Sequence, residues 1–558
     1  MEPLLPVPAP LPRRAWLVFL ALAVSAWGLL LPLSGRPGTF PGDPELPYAP
    51  VTLNLHWQVH TRGIAGYAAD DLHGFPMRTD RLVTDGVPLD ALTSWPFTAA
   101  LGEAAGMWLW AVVTLWAVGA AAAWLGMRWW GTLGAGLVAG VGYQVGDALL
   151  RELAEGRPTQ VFAAVLLPLT LGLGAAAARR VAADTPREGT LAAIGAGLLA
   201  GLGTVTSWNL GLMFVLAAFG PLVAMVLARW RSGGGARIDV LLVPLGAFAT
   251  CVFPAVAWMV TGRNELPSLG MDPWQEVVVG LRQVRPVDLA AARIHGLGGV
   301  ALGTLGRPVL LAAAAYTLWR ARPRHIALPL AFASLLALLG LGAWLPGPVV
   351  LPWGWLQTLP WLGRLWWPDR LWIGVALGLA VLAAGAPRRA AFVVALGLYG
   401  EAWLVSRALP FGAVQLGPSP SGEVLARAPD VPFVLLPSGQ GPLRSDRLDL
   451  VDQMAHGRPM ANGTRPILDL TSSDAVLRNW RNNTGLRALL ACEMGGGAAV
   501  TADERVEAGA ALLHAGLREV YLDPRYTEND PGYALCVEGV LAGWERGEEP
   551  PLVRFRAP

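Results

Sequence analysis

Residues 191–230 read LAAIGAGLLAGLGTVTSWNLGLMFVLAAFGPLVAMVLARW and carry one charged side chain, Arg229. A helix that crosses a bilayer needs about 20 mostly apolar residues, so this stretch is long enough for two. Only Ser207-Trp208-Asn209-Leu210 interrupts it, and a tight hairpin is predicted there. Working outward with the same window gives eleven predicted spans, roughly at 15–33, 106–125, 130–150, 159–178, 189–207, 209–228, 238–260, 300–319, 326–345, 370–386 and 390–408. The third and eighth are the weakest, because Gln144, Asp147 and Arg307 interrupt or end them. The first has an apolar run too long for a cleaved signal peptide and no A-x-A site behind it, so it reads as a retained anchor.

Composition points the same way. Of 558 residues, 54% are hydrophobic and 15% charged, with a mean hydropathy of +0.46. A soluble globular chain is about 25% charged, so there are too few charges here to cover a water-soluble body of this size. The apolar content also excludes disorder. A net charge of +2 gives no reason to expect a nucleic-acid partner. All 42 basic residues are Arg, a usage that fits a GC-rich genome. The length implies at least two folding units.

Arginine placement gives the sidedness. With residue 1 in the cytoplasm, the inner segments carry Arg13/Arg14, Arg128, Arg179/Arg180/Arg187, Arg229/Arg231/Arg237, Arg320/Arg322/Arg324 and Arg388/Arg389. Every predicted inner connection is then basic, and residues 409–558 lie outside. The predicted fold is mainly α: a polytopic transmembrane helix bundle over 1–408 with a large first external loop at 35–105. A small extracytoplasmic α/β domain follows over 409–558. Pro410, Pro418, Pro420 and Pro429 mark its linker. Val431–Pro437 and Arg518–Asp523 read as strands and 503–516 as a helix. That domain has no G-x-G-x-x-G, P-loop or G-x-S-x-G motif. Cys492 and Cys536 fall in it and are expected to bridge, as an oxidising compartment allows. Cys251 sits in an apolar run and reads as a small buried hydrophobe.

Polar residues gather in three places. The first external loop holds Asp43, His56, Trp57, His60, Asp70, Asp71, His73, Asp80, Asp85 and Asp90. It is too long for a plain connector, and amphipathic helices on the membrane surface would fill it. A carboxylate held there could act as general base on a hydroxyl acceptor; turn-forming Asp residues are the plain alternative. His56 and His60, four apart, share a helical face, which suits a divalent metal or simply two interfacial polar residues. The second place is 353–370, with five Trp that form an aromatic belt, together with Arg364 and Arg370. An Arg fork beside a membrane suits a phosphate, and a salt bridge is the alternative. The third is the turn 147–160, whose nearly balanced charges could pair at i,i+4, Asp147 with Arg151 for example. Gly136-x-x-x-Gly140 and Gly197-x-x-x-Gly201 allow close helix contact.

The layout resembles the polytopic GT-C glycosyltransferases, including YfhO-like and dolichyl-phosphate-mannose-mannosyltransferase-like bacterial membrane proteins. The matching pieces are Gly42-Asp43 and Phe75-Pro76-x-x-x-Asp80 in the first external loop. Glu155-Gly156-Arg157-x-x-Gln160, Arg364-x-x-x-Pro368-x-Arg370 and His456-Gly457-Arg458-Pro459-x-x-Asn462-Gly463 match as well. Asp43 is followed by Pro44 where the mannosyltransferase branch carries an Asp-Glu pair, and no WWDYG is present. The resemblance implies a polyprenyl-phosphate-linked sugar donor, membrane-lipid contact and a bacterial inner-membrane location. It implies Asp43 as the base, with Asp70 or Asp71 in reserve. Arg364 and Arg370 would hold the donor phosphate, with Asp80, His56 and Gln160 as further substrate contacts. The cofactor stays open, a divalent cation included.

Two other functions fit the same residues. A transporter or flippase of a lipid-linked intermediate would use intramembrane polar groups such as Gln144, Asp147 and Asn209, although the sequence carries no clear internal repeat. A non-catalytic envelope scaffold would use the external domain to bind a partner.

Overall fold

The structure is a computed structural model. It describes residues 6, 9–34, 38–43, 48–70, 79–80, 88–183, 186–233, 239–261, 304–341, 352, 368–406, 408–437, 449–461, 480, 482–493, 501–526 and 530–558. The chain divides into two compact units, Met1–Pro37 with Pro96–Val260 and Gly270–Ala413, and Gly38–Trp95 with Thr261–Leu269 and Val414–Pro558. The segment Gly38–Trp95 therefore clusters with the C-terminal region and not with the spans that flank it in sequence.

The first unit is a helix bundle, and each of the eleven predicted windows carries a helix. Seven helices are long and apolar enough to cross a membrane: Ala15–Leu33, Glu103–Trp130, Pro158–Ala182, Glu188–Thr206, Gly211–Arg231, Val240–Ala257 and Pro323–Gly340. An eighth is reached if Leu133–Gln144 and Asp147–Ala154, bent by 43°, form one span. Pro308–Arg320, Trp372–Ala383 and Ala391–Val405 occupy the remaining windows at 13, 12 and 15 residues. At 1.5 Å per residue these reach only about 18–23 Å, less than the roughly 30 Å apolar core of a bilayer. The count of eleven full-length spans is thus not met among the described residues.

The hairpin of residues 207–210 is as tight as its sequence requires. One 3-10 turn, Trp208–Leu210, joins Pro186–Thr206 to Gly211–Arg231. Pro stands at the start of Pro158–Ala182, Pro308–Arg320 and Pro323–Gly340, where its missing N–H costs nothing. Helix packing uses the small-residue runs. A Cβ on Gly197 would lie 2.2 Å from the Pro244 carbonyl oxygen, and one on Gly201 would lie 2.7 Å from Cys251 Cβ. Gly197→Ala is therefore expected to destabilise the bundle by about 1–3 kcal/mol, the usual range for overpacking. The melting temperature of the purified protein measures it, and an unchanged value would mean that this contact is slack.

Contacts divide the bundle into two ends. At one end, the Ala9 N–H donates to the Arg128 carbonyl at 2.9 Å, and the Trp129 indole donates to the His325 carbonyl at 2.8 Å. There Trp130 stacks on His325 and Gly134 faces Ala391. Arg128, Arg179 and Arg180 line one cavity at that end. At the other end the Trp372 indole donates to the Gly340 carbonyl at 3.2 Å, and the Val309 N–H donates to Glu401. The basic segments around 13–14, 128, 179–180, 320–324 and 388–389 thus collect at one end, as alternating spans require.

In the second unit, Phe433–Leu436 and Glu519–Leu522 pair in parallel, and Leu552–Arg556 and Glu545–Glu549 extend the sheet antiparallel. Both predicted strands and the predicted helix, Ala502–His514, are present. The closing hairpin was not legible, because its outer strand reads Glu-Arg-Gly-Glu-Glu. Val434, Trp480, Leu489, Leu512, Val520 and Phe555 share one core. Cys492 and Cys536 are bonded in that core with Cα atoms 5.6 Å apart. The first loop forms the helices Tyr48–Ala68, kinked at Gly63, and Leu89–Leu101. Tyr48–Ala68 packs on Asp449–His456, and the Asn54 amide donates to Gln453 at 3.0 Å.

Candidate functional site

In the first unit, charged side chains collect at the end opposite the basic segments. The Asp147–Ala154 helix closes through Gly156, whose φ of +83° favours glycine. This turn lets the Arg157 N–H donate to the Glu152 carbonyl at 2.8 Å and sends the Arg157 side chain back over the helix. Arg157 meets Glu155 at 2.8 Å and Glu152 at 3.4 Å, and Arg151 meets Glu155 at 2.9 Å. Arg370, on the 3-10 turn Pro368–Leu371, brings its Nε to Glu152 Oε1 at 3.2 Å. Among the described residues, three guanidinium groups thus meet the two carboxylates Glu152 and Glu155. Glu152 and Arg370 are only 6% and 5% exposed, so their ion pair sits in a low dielectric where it acts strongly. Gln160, at the next helix start, accepts from the Ser207 hydroxyl and ties this turn to the 207–210 hairpin.

Beside it in chemistry stands Arg307. It is 1% exposed, and none of its side-chain nitrogens has a hydrogen-bond partner among the described residues. The charges of Asp147 and Glu401 act on it. Gln144 is also buried, but its amide donates to the carbonyls of Leu22 and Leu115, which makes it a tie between helices.

In the second unit, strand Thr39–Pro41 pairs with Ala413–Gln415, and Phe40 is fully buried. This anchor ends at Gly42 and leaves Asp43 half-buried. His56 is 1% exposed, with Nε2 at 3.0 Å from Asp90 and Nδ1 at 2.9 Å from Ser94. His60 Nε2 meets Ser94 Oγ at 3.0 Å. Both His56 nitrogens are thus engaged in joining Tyr48–Ala68 to Leu89–Leu101. Among the described residues no three His, Cys, Asp or Glu side chains gather as a metal site. Asp70 and Asp80 lie on two short antiparallel strands, in register as Asp70 with Thr79 and Ala69 with Asp80. Asp71 and Arg364 lie outside the described residues.

The His456-Gly457-Arg458-Pro459 stretch is largely structural. Arg458 is buried, donates to Glu519 at 2.8 Å and to the Val431 carbonyl at 2.9 Å, and lies 4.5 Å over the Phe433 ring. Tyr521 donates to the same Glu519 carboxylate at 2.8 Å. Burial, then that bond, pushes the Tyr521 phenol up to about 12. Nearby Asp452 accepts from the Ser419 N–H and hydroxyl, both at 2.6 Å. Burial still raises its carboxyl above the ordinary range.

Two features escaped sequence reading: Glu152 as the partner of Arg370, 218 positions away, and the burial of Arg307. A signal for the first existed, since turn 147–160 and the 364–370 segment were both assigned to the outer side.

No family model and no curated protein sequence matches the chain. Solved structures similar to it include the Archaeoglobus fulgidus oligosaccharyltransferase in the apo form, at 13% identity and a TM-score of 0.49, covering 95% of this chain and 73% of that one. The archaeal oligosaccharyltransferase AglB from the same organism, with an inhibitory peptide and a dolichol-phosphate, gives 12% and 0.46 over 98% and 74%. ArnT from Cupriavidus metallidurans in the apo state gives 13% and 0.43 over 97% and 98%. Scores this low at such identity carry no residue roles over to this chain.

Proposed function

We propose that this protein is a membrane glycosyltransferase that moves a sugar from a polyprenyl-phosphate carrier to an envelope lipid, glycan or protein on the outer face of the membrane. The observation that carries the reading is the gathering of Arg151, Arg157 and Arg370 around Glu152 and Glu155 at one end of an apolar bundle, with Arg370 and Glu152 buried. A donor whose prenyl tail stays in the bilayer presents its phosphate at such a depth, and fixed positive charge there stabilises the departing phosphate. In this reading Arg370 is the donor-phosphate ligand, its guanidinium plane fixed by Glu152, with Arg364 as a second. Asp43 takes the acceptor proton as the C1–O bond to phosphate breaks and the bond from the acceptor to C1 forms. Asp70 and Asp71 are the reserve carboxylates, with Asp80, His56 and Gln160 as further substrate contacts.

Purified protein in lipid nanodiscs, given a panel of polyprenyl-phosphate sugars, should release polyprenyl phosphate, and chelator in a parallel set tests for a divalent cation. No release with any donor would sink the reading. The buried Arg307, with the charges of Asp147 and Glu401 acting on it, favours a flippase as the second reading, because ionisable groups inside a membrane bundle commonly mark a transport path. Movement of a labelled lipid-linked sugar across proteoliposomes without sugar transfer would select it.

The location that goes with this reading is a bacterial inner membrane, with a cytoplasmic N-terminus and residues 409–558 outside. Two observations support that sidedness: the basic segments share one end of the bundle, and the second unit contains a disulfide. Reporter fusions at Arg180 and Arg322 should read cytoplasm and fusions after Leu409 the exterior; the reverse pattern would overturn it.

A further inference from the structure

We infer that the cavity at the basic end of the bundle is a binding site for the phosphate headgroup of an anionic phospholipid, separate from the proposed transfer site. The cavity, about 460 Å³, lies where Glu103–Trp130, Pro158–Ala182 and Pro186–Thr206 meet. That size falls in the range of small-molecule sites, about 300–1,000 Å³.

Its charge is unbalanced. Arg128, Arg179 and Arg180 line it, and Glu188 is the single acidic side chain among them. Glu188 pairs with Arg180. The side chains of Arg128 and Arg179 have no ion pair among the described residues, and Arg179 Nε is buried without a hydrogen-bond partner. The positive charges of Arg128 and Arg180 both bear on Arg179. Holding like charges together at a helix junction is unfavourable unless an anion joins them, and a buried N–H donor without an acceptor adds to the cost. A phosphate meets both demands, because its oxygens accept charge-assisted bonds from several guanidinium groups at once.

The walls select a lipid over a free ion. Trp124, Trp129, Leu125, Leu173 and Leu191 supply the apolar lining, and Leu191 is 65% exposed on the face of the bundle. A soluble phosphate has no use for such walls, while glycerol carbons and the first methylenes of an acyl chain do. Basic pockets between membrane helices hold anionic headgroups by this combination.

The test uses the full-length protein in nanodiscs of mixed phosphatidylglycerol and phosphatidylcholine, with bound lipid counted by native mass spectrometry. Wild-type protein should keep one tightly bound phosphatidylglycerol that Arg128→Gln/Arg179→Gln protein holds about tenfold or more weakly. Arg179→Lys, which keeps the charge, should retain it and guards against a folding defect in the double variant. Equal retention by wild type and double variant would overturn the proposal, as would equal preference for phosphatidylcholine. In a second arm, glycerol 3-phosphate is added to delipidated protein. If it raises the melting temperature as much as phosphatidylglycerol does, the ligand is a free phosphate ester and the lipid assignment fails.

Discussion

Glu152→Leu is expected to destabilise the bundle by about 3–5 kcal/mol, the usual cost of removing one member of a buried ion pair. Glu152 is the carboxylate that Arg370 and Arg157 share, and both it and Arg370 are nearly inaccessible to water. Without it, Arg370 and Arg157 lose the carboxylate they share, in surroundings that screen poorly. The loss should appear as a lower melting temperature in detergent. Replacing both partners, as in Glu152→Leu/Arg370→Met, should recover most of it, because an apolar pair of similar volume is often as stable as the ion pair it replaces. The double variant also separates structure from function. If Arg370 holds the donor phosphate, the recovered protein remains inactive, whereas wild-type transfer by this variant would remove Arg370 from the site.

The legible part of the molecule follows from what a bilayer and a pleated strand demand locally. The apolar windows fixed where helices form, since each needs only its own residues to be apolar, and Phe433–Leu436 and Glu519–Leu522 were found for the same reason. Arginine counts gave the two ends of the bundle, and the contacts between Trp129 and His325 and between Glu152 and Arg370 respect them. Helix length was less legible. Hydropathy windows do not register that Trp372–Ala383 is followed by Gly385-Ala386-Pro387, which stops it after 12 residues. Pairings across long separations were not legible at all. Arg370 read equally as a phosphate ligand or a salt-bridge member, and nothing in its neighbourhood names Glu152. The His456–Pro459 stretch, read as a family signature, turned out to hold a core arginine. Arg458 joins Glu519 to the Val431 carbonyl, a role set by the sheet and invisible in the sequence.

Asp43→Asn is expected to lower sugar transfer by about 10²–10⁴-fold, the usual contribution of a general base, while leaving the melting temperature nearly unchanged. The side chains are almost the same size, so packing around the half-buried position is kept and what is lost is the capacity to accept a proton. The position suits the task. Phe40 is fully buried, the Leu416 N–H donates to the Gly38 carbonyl, and the strand Thr39–Pro41 is paired with Ala413–Gln415, so the chain leading to Asp43 is anchored. Gly42 then turns it, and a carboxylate at the end of a pinned strand keeps one direction with little entropy left to lose on binding. The rate of polyprenyl phosphate release per mole of folded protein is the measurement. Donor binding gives the control, since a base contributes to the bond-making step and Asp43→Asn should bind the donor as wild type does, whereas Arg370→Ala should bind it more weakly. Wild-type turnover by Asp43→Asn would remove Asp43 from the reaction and move the test to Asp70 and Asp71. Loss of donor binding in Asp43→Asn would instead make Asp43 part of the binding surface, a different role from the proton transfer assigned to it.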